Sequence, residues 1–243
     1  MLSGARDAYG ASMEAAFRAG RGHNGVVERD DGWIEAESTF DYLAPFRAWM
    51  PHERRAMRRA RGRVLDVGCG AGRVSLHLQE RGHEVVAIDV SQGACRVSRE
   101  RGVRDVRPLA VEQIRAADGP FDTVVMYGNN LGLLRDATHG PWLLKRLAKA
   151  TSPSARILGG NLDVYRTDEP AHLAYQERNR RRSRMSGQIR LRIRYREKAT
   201  PWFDYLFMSI PELEAIATAG GWRIADVMWN GDGPMYVAVL EKG

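Results

Sequence analysis

Short apolar runs alternate with amphipathic stretches over the middle of the chain. The run Val64-Leu65-Asp66-Val67 reads as a buried strand, breaks at Gly68, Gly70 and Gly72, and gives way to a helical pattern from Val74 to about residue 81. Gly82-His83 turns the chain into a second strand, 84–89, and 91–101 reads as a helix with Ser91 at the capping position, which favours a short polar side chain. A weaker strand falls near 103–109 and a clear one at 121–127. Pro141 opens a helix through Leu143, Leu144, Leu147 and Ala148, and a fifth strand covers 155–161. Such regular steps predict a parallel sheet with helical crossovers.

On either side the pattern changes. Residues 9–18 fit a short helix with Met13, Ala16 and Phe17 on one side, and Gly20, Gly22 and Gly25 then interrupt it. Residues 26–33 read as loop or short extended structure, 41–50 as an aromatic-rich helix despite Pro45, and 52–61 as a basic helix. Past Asp163 the chain is polar and strongly basic, with Arg178, Arg180, Arg181, Arg182 and Arg184. Within it, 189–196 alternates with period two. That predicts a half-buried strand with Ile189, Leu191, Ile193 and Tyr195 inward and Arg190, Arg192, Arg194 and Arg196 outward. A helix at 209–219 has Pro211 early and Gly220-Gly221 at its end, and strands at 222–227 and 236–240 follow.

With 243 residues, the chain is long enough for one α/β domain and an appendage. The 28% charged residues and 44% hydrophobic ones are ordinary for a globular protein. No apolar run approaches the roughly 20 residues of a membrane span, and no apolar leader is visible, so a cytoplasmic setting is expected and no membrane partner. Cys69 and Cys95 are too few for a disulfide framework. A net charge of +7 raises a nucleic-acid reading. Lysine occupies only positions 145, 149, 198 and 242, so 33 of 37 basic residues are arginine, the bias a GC-rich coding sequence produces without a partner. No metal-ligand spacing is present, and no metal is expected.

The glycine-rich turn carries the chemistry. A dinucleotide site wants G-x-G-x-x-G beside a pyrophosphate. Here the spacing is G-x-G-x-G, and Asp66, two residues before it, would repel a pyrophosphate but suits a ligand bearing an ammonium. Val64-Leu65-Asp66-Val67-Gly68-Cys69-Gly70-Ala71-Gly72 resembles motif I of the class I S-adenosylmethionine (SAM)-dependent methyltransferases. That resemblance implies an α/β fold with a doubly wound, seven-stranded, mostly parallel Rossmann-like sheet in a single domain. An N-terminal helical lid would span 1–60, the cofactor-binding core 61–163, a lid insertion after the fifth strand 164–208, and a closing helix with two strands 209–243.

The resemblance also implies SAM as cofactor and S-adenosylhomocysteine as product. Asp66 and the turn Gly68, Cys69, Gly70 and Gly72 would receive the amino-acid end, and a Cβ at Gly70 would stand where that end lies. Asp89, at the end of the second strand, would meet the ribose diol, with Val90 near the adenine. Ala110 stands where the family usually has an acidic residue, leaving the backbone of Val111 and the side chain of Glu112 as substitutes. Tyr127 would touch the methionine part. Catalytic candidates are Tyr127, Asn129 and His139, the last as a general base. His77 and His83 read as structural. The expected reaction methylates an N or O nucleophile of a small-molecule acceptor, by a monomer or homodimer, with nucleic acid not the expected partner. The alternatives are an RNA or DNA methyltransferase using the arginine-rich segment, and a SAM-binding protein without catalysis.

Overall fold

The computed structural model describes the backbone of residues 1–243 and every side chain except that of Phe40. The elements in chain order are α1 (Ala8–Ala19), β1 (Asn24–Arg29), β2 (Ile34–Ser38), α2 (Pro51–Met57), β3 (Val64–Val67), α3 (Arg73–Glu80), β4 (Val85–Asp89), α4 (Gln92–Glu100) and β5 (Asp105–Pro108). They continue with β6 (Phe121–Met126), α5 (His139–Lys149), β7 (Thr151–Leu162), α6 (Pro170–Arg180), β8 (Gln188–Tyr195), β9 (Lys198–Ala199), β10 (Phe203–Leu206), α7 (Ile210–Ala219), β11 (Trp222–Trp229) and β12 (Met235–Lys242). Seven strands form a mainly parallel sheet in an α/β arrangement, in the order β11-β12-β7-β6-β3-β4-β5. Strand β12 runs antiparallel to both of its neighbours, β11 and β7.

The chain divides into two compact units. The first comprises 1–49, 61–113 and 191–203. Its strands β3, β4 and β5 pair in parallel, and every residue of β3 and β4 is buried, as strands covered on both faces require. Helix α4 starts where expected, the Ser91 hydroxyl accepting from the N–H of Ala94. Asp7 caps α1 and also holds it against α4, its carboxylate accepting from Gly10 N, Ser91 Oγ and Gly93 N at 3.0, 2.7 and 2.8 Å. Gly10 and Gly93 let the two helices meet backbone to backbone; a Cβ on Gly93 would stand 2.7 Å from the Cα of Gly10.

Residues 26–33, expected as loop or short extended structure, are the end of β1 and the turn of an antiparallel hairpin with β2, turned at Gly32 and tied by Asp31, whose carboxylate accepts from the Arg29 guanidinium. Two expectations for the N-terminal segment are corrected. Residues 41–50 are not one helix but two short 3-10 turns, Thr39–Leu43 and Phe46–Ala48, because Pro45 lies between them in extended backbone. The segment expected as a helical lid is therefore partly sheet. Strand β1 pairs antiparallel with β8, so the N-terminal segment and the insertion after the fifth strand of the core build one sheet together. In β8, Ile189, Leu191, Ile193 and Tyr195 are buried while Arg190, Arg194 and Arg196 are exposed and Arg192 half-exposed, as the alternation predicts.

The second unit comprises 50–60, 114–190 and 204–243. It carries β6 and β7 in parallel and the antiparallel succession β7-β12-β11. Helix α5 begins at His139 rather than Pro141, because the Asp136 carboxylate accepts from the N–H groups of Thr138 and His139. Helix α7 opens with a reciprocal cap between Ser209 and Glu212, and α6 was not read from the sequence as a separate helix.

Candidate functional site

The turn after β3 places three glycines in left-handed backbone, Gly68 at φ 68°, Gly70 at 53° and Gly72 at 79°, a region that costs other residues about 1–2 kcal/mol. Its amides point into the protein rather than out. Gly68 N and Cys69 N both donate to Ile88 O, Gly70 N donates to Asp89 Oδ2 at 3.0 Å, and Gly72 N donates to Cys69 O. A pyrophosphate site needs such donors for its ligand, and here they are spent inside the fold. These four amides are thus engaged within the fold.

Around it the chain gathers acceptors instead. Asp89 is 6% exposed; its carboxylate takes Gly70 N and Ser91 N, one on each oxygen, and retains lone pairs for further donors. Asp66 is 2% exposed and accepts from Ser75 Oγ at 2.6 Å, so it also anchors α3. Burial raises both carboxyls to about 6, against the pull of the Ser75 hydroxyl on Asp66 and of the Ser91 and Gly70 amides on Asp89. This is an environment that rewards a ligand offering hydroxyl or ammonium donors. The Cys69 thiol is buried, pushed up by that burial, and reads as a small packing residue.

Gly70 lies beside helix α1. A Cβ there would meet Met13 Cε at 3.1 Å and the Tyr9 hydroxyl at 3.4 Å, so α1 borders the place assigned to the ligand's amino-acid end. Tyr9 was not singled out from the sequence, where it reads as the first residue of an amphipathic helix. Gly72 has a different reason for being glycine: a Cβ would stand 2.7 Å from Val103 Cγ2 and 2.9 Å from Ser98 Oγ. Val90 is 39% exposed at the end of β4, Val111 is buried in a 3-10 turn, and Glu112 beside it is half-buried. His77 is structural as expected, stacked on Phe46 with ring centroids 3.8 Å apart.

The remaining candidates lie in the second unit. Gly128 and Asn129 follow β6 in left-handed backbone, and the Asn129 side chain makes no hydrogen bond to the described residues. Tyr127 is 4% exposed and its hydroxyl donates to Glu53 O, which commits it to the fold. His139 sits at the start of α5 with Nδ1 3.3 Å from Leu134 O and its ring beside Trp142.

Comparison with known proteins agrees with this geometry. Residues 64–154 match the methyltransferase domain family. Over the whole chain the fold superposes on a SAM-dependent methyltransferase from Bacteroides fragilis, solved in complex with S-adenosyl-L-homocysteine, with TM-score 0.84 and 25% identity, covering 100% of this chain and 98% of that one. Together these likenesses support a class I SAM-dependent methyltransferase. Sequence relatives include the ubiquinone biosynthesis O-methyltransferase of Hahella chejuensis, 37% identical over 38% of this chain and 42% of that protein. The malonyl-[acyl-carrier protein] O-methyltransferase of Erwinia pyrifoliae is 33% identical over 41% of this chain and 37% of its own length. These alignments span about two fifths of the curated relatives.

Among the described residues no group of three or more His, Cys, Asp and Glu is arranged to hold a metal ion. No helix is long and apolar enough to cross a membrane.

Proposed function

We propose that this chain transfers a methyl group from SAM to an N or O nucleophile of a small-molecule acceptor, releasing S-adenosylhomocysteine. The observation that carries the reading is the acceptor-rich surround of the left-handed glycine turn, with Asp66 and Asp89 buried beside it. These residues fit a ligand that offers a ribose diol and an ammonium and carries no pyrophosphate. Asp89 would hold the diol, and Asp66 would lie toward the ammonium. When bound, SAM supplies a methyl group already activated on a sulfonium. The chain's own task is then to align the nucleophile and take up its proton. Asn129, with its amide unengaged, is carried forward for contact with the acceptor; Tyr127 and His139 remain candidates whose side chains also serve their own elements.

The pairing of two of the strand's arginines with one internal carboxylate supports a small molecule over nucleic acid. Arg192 is paired with Glu28 through two bonds, at 2.9 and 3.0 Å, and Arg194 reaches the same carboxylate at 3.2 Å. The test is calorimetric titration with SAM, S-adenosylhomocysteine and NADH, followed by S-adenosylhomocysteine release against a metabolite extract and, separately, total RNA. Binding of SAM with turnover on the extract is expected. Preference for NADH sinks the reading, turnover on RNA alone replaces the acceptor class, and SAM binding without turnover on either leaves a binding protein.

A further inference from the structure

The sheet of β1, β2 and β8 has two faces of different chemistry. Val26 lies opposite Arg194 and Glu28 opposite Arg192, so these four share the outer face and Gly25, Ile193 and Tyr195 turn inward. Gly25 is buried, yet its φ lies outside the left-handed region, so its backbone does not demand glycine. Beyond its chain neighbours, no described atom comes nearer than 3.8 Å to the place a Cβ would take. Glycine there leaves room on the inner face. Polar side chains border that room. Glu37 stands directly opposite Gly25 on β2. His23, two residues before Gly25, sets its ring edge-on to Tyr195, centroids 6.4 Å apart, with Nδ1 3.4 Å from the Tyr195 hydroxyl oxygen. Its other ring nitrogen, Nε2, is buried and has no hydrogen-bond partner among the described residues. A buried polar atom in that state is where a binding or catalytic role is to be sought.

The ring is held on a fixed backbone. Thr39 Oγ1 accepts from His23 N at 3.1 Å and donates to His23 O, which also takes the N–H of Thr39 at 3.1 Å. The inner face also looks toward the glycine turn. Tyr42 donates its hydroxyl hydrogen to Glu37 and packs edge-on against Tyr9, which reaches the side of Gly70.

We propose that this inner face receives the methyl acceptor and that His23, backed by Tyr195, is the base that takes its proton. The inference rests on the small-molecule methyl-transfer reading given above and supplies the acceptor's side of it. With Nδ1–H donating to the Tyr195 oxygen, Nε2 carries the lone pair. The Nδ1 distance is long for a hydrogen bond, as such bonds often are before the reacting complex forms. In the step itself the lone pair of the acceptor's O or N bonds to the methyl carbon, and the carbon–sulfur pair stays on sulfur. The acceptor's proton passes to Nε2 and from there to solvent.

The charges on this face indicate the class of acceptor. Beside Gly25 they are acidic: burial raises the Glu37 carboxyl against the pull of its Tyr42 bond, and Glu35 and Asp41 add to the rise. Cations of the neighbouring strands are committed elsewhere. Arg192 and Arg194 face outward to Glu28, Lys198 gives Nζ to Gly4 O, and the exposed Arg196 lies over the Tyr195 ring at 5.3 Å. Like charges brought together oppose binding, so the acceptor is a hydroxyl or amine compound without a carboxylate or phosphate.

By calorimetry, His23→Gln, Tyr195→Phe and Gly25→Val should each bind S-adenosylhomocysteine as the wild type does, which checks that the chain is folded. Release of S-adenosylhomocysteine from SAM against the metabolite extract should fall about a hundredfold in His23→Gln and less in Tyr195→Phe. It should vanish in Gly25→Val, whose side chain fills the acceptor's place. His23→Ala should lose release and regain part of it when imidazole is added, a rescue that a packing role does not permit. When the extract is passed over an anion exchanger, the acceptor should remain in the unbound fraction.

Unchanged release in His23→Gln, loss of S-adenosylhomocysteine binding in step with release, no rescue by imidazole, or an acceptor found only in the bound, anionic fraction would overturn the proposal. Each would leave the methyl-transfer reading standing. A wild-type chain that releases no S-adenosylhomocysteine with the extract would overturn both.

Discussion

Two stretches of the first unit, 64–101 and 1–49, are organised on opposite principles. In the first, structure follows from neighbours in sequence. Val64–Val67 is apolar throughout, three glycines take the left-handed backbone that only they adopt cheaply, and Ser91 caps the helix that begins one residue later. In the second, partners lie far along the chain. Strand β1 is completed by β8, with Val26 opposite Arg194, and α1 is fixed by Asp7 reaching Ser91 and Gly93. The local stretch supplies the turn and its two carboxylates. The non-local one brings Tyr9 and Met13 to Gly70. A surface assembled this way has a part set by local sequence and a part set by whatever the fold brings over it.

The sharpest way to break the comparison is at the joint between the two. Gly93→Val puts a branched side chain where the backbone of Gly10 lies 2.7 Å away, and backbone cannot move aside as a flexible side chain does. The expected loss is about 3 kcal/mol, measured by denaturant unfolding, because helix α1 must separate from α4. Near-neutral stability would mean that the helices are held by something other than this close approach.

Next in size is Asp89→Ala. It should weaken S-adenosylhomocysteine by more than about tenfold in calorimetry, since charge-assisted hydrogen bonds contribute roughly 1.5–3 kcal/mol each. The same change also frees the amides of Gly70 and Ser91, so the turn itself loses an anchor. Unchanged affinity would remove Asp89 from the ribose.

How much of this was legible follows from the same contrast. The strands and helices from Val64 to Leu162 could be read because their burial is periodic and their ends are marked by Gly, Ser and Pro. The arginine strand could be read because Ile189, Leu191, Ile193 and Tyr195 alternate with charge. The hairpin of β1 and β2 could not: Val26-Val27-Glu28-Arg29 has no clean alternation, and its pairing is with a strand some 165 residues away, as its bond from Arg192 to Glu28 shows. Pro45 was visible, yet the aromatic spacing of 41–50 outweighed it, and the backbone rule prevailed. Tyr9 carried no local signal at all. Its significance arises from Gly70 and Tyr42, which only the fold brings to it. The inward turn of the loop amides was also hidden, because the spacing G-x-G-x-G does not say which way its N–H groups point.

A smaller effect tests the two carboxylates of the local stretch. Asp66 and Asp89 sit at about 6 in the folded chain, against roughly 3.9 for aspartate in an unfolded chain. A raised folded value means the protonated form is favoured by folding. That contribution is fully present below the unfolded value and is lost as pH rises through about 6. In the absence of ligand, the melting temperature should therefore fall between about pH 4 and pH 6 and level off above, and Asp66→Asn or Asp89→Asn should flatten part of that slope. Ligand donors favour the ionised carboxylates, so S-adenosylhomocysteine binding should tighten over the same rise. A slope unchanged in both variants would place the effect on other groups.

The smallest expected effect on stability is at Glu28, on the non-local stretch, and it bears on the choice of partner. Its carboxylate holds Arg192 in a two-bond pair and Arg194 in a third bond, and those bonds draw its pKa below the usual range. The groups are solvent-exposed or partly so, where such pairs add little and salt screens them. Glu28→Gln should therefore lower stability slightly, with the difference shrinking as ionic strength rises. It should do more to the surface. Two arginines released beside Arg190 and Arg196 make an uncompensated basic strand, and such strands bind phosphates with a steep dependence on salt. Filter binding to total RNA should be weak and non-specific for the wild-type chain and measurably stronger for Glu28→Gln at low salt. If the wild-type chain already forms a salt-sensitive, sub-micromolar RNA complex that is lost when Arg190, Arg192, Arg194 and Arg196 become glutamine, Glu28 does not neutralise the strand, and the acceptor is a nucleic acid rather than a small molecule.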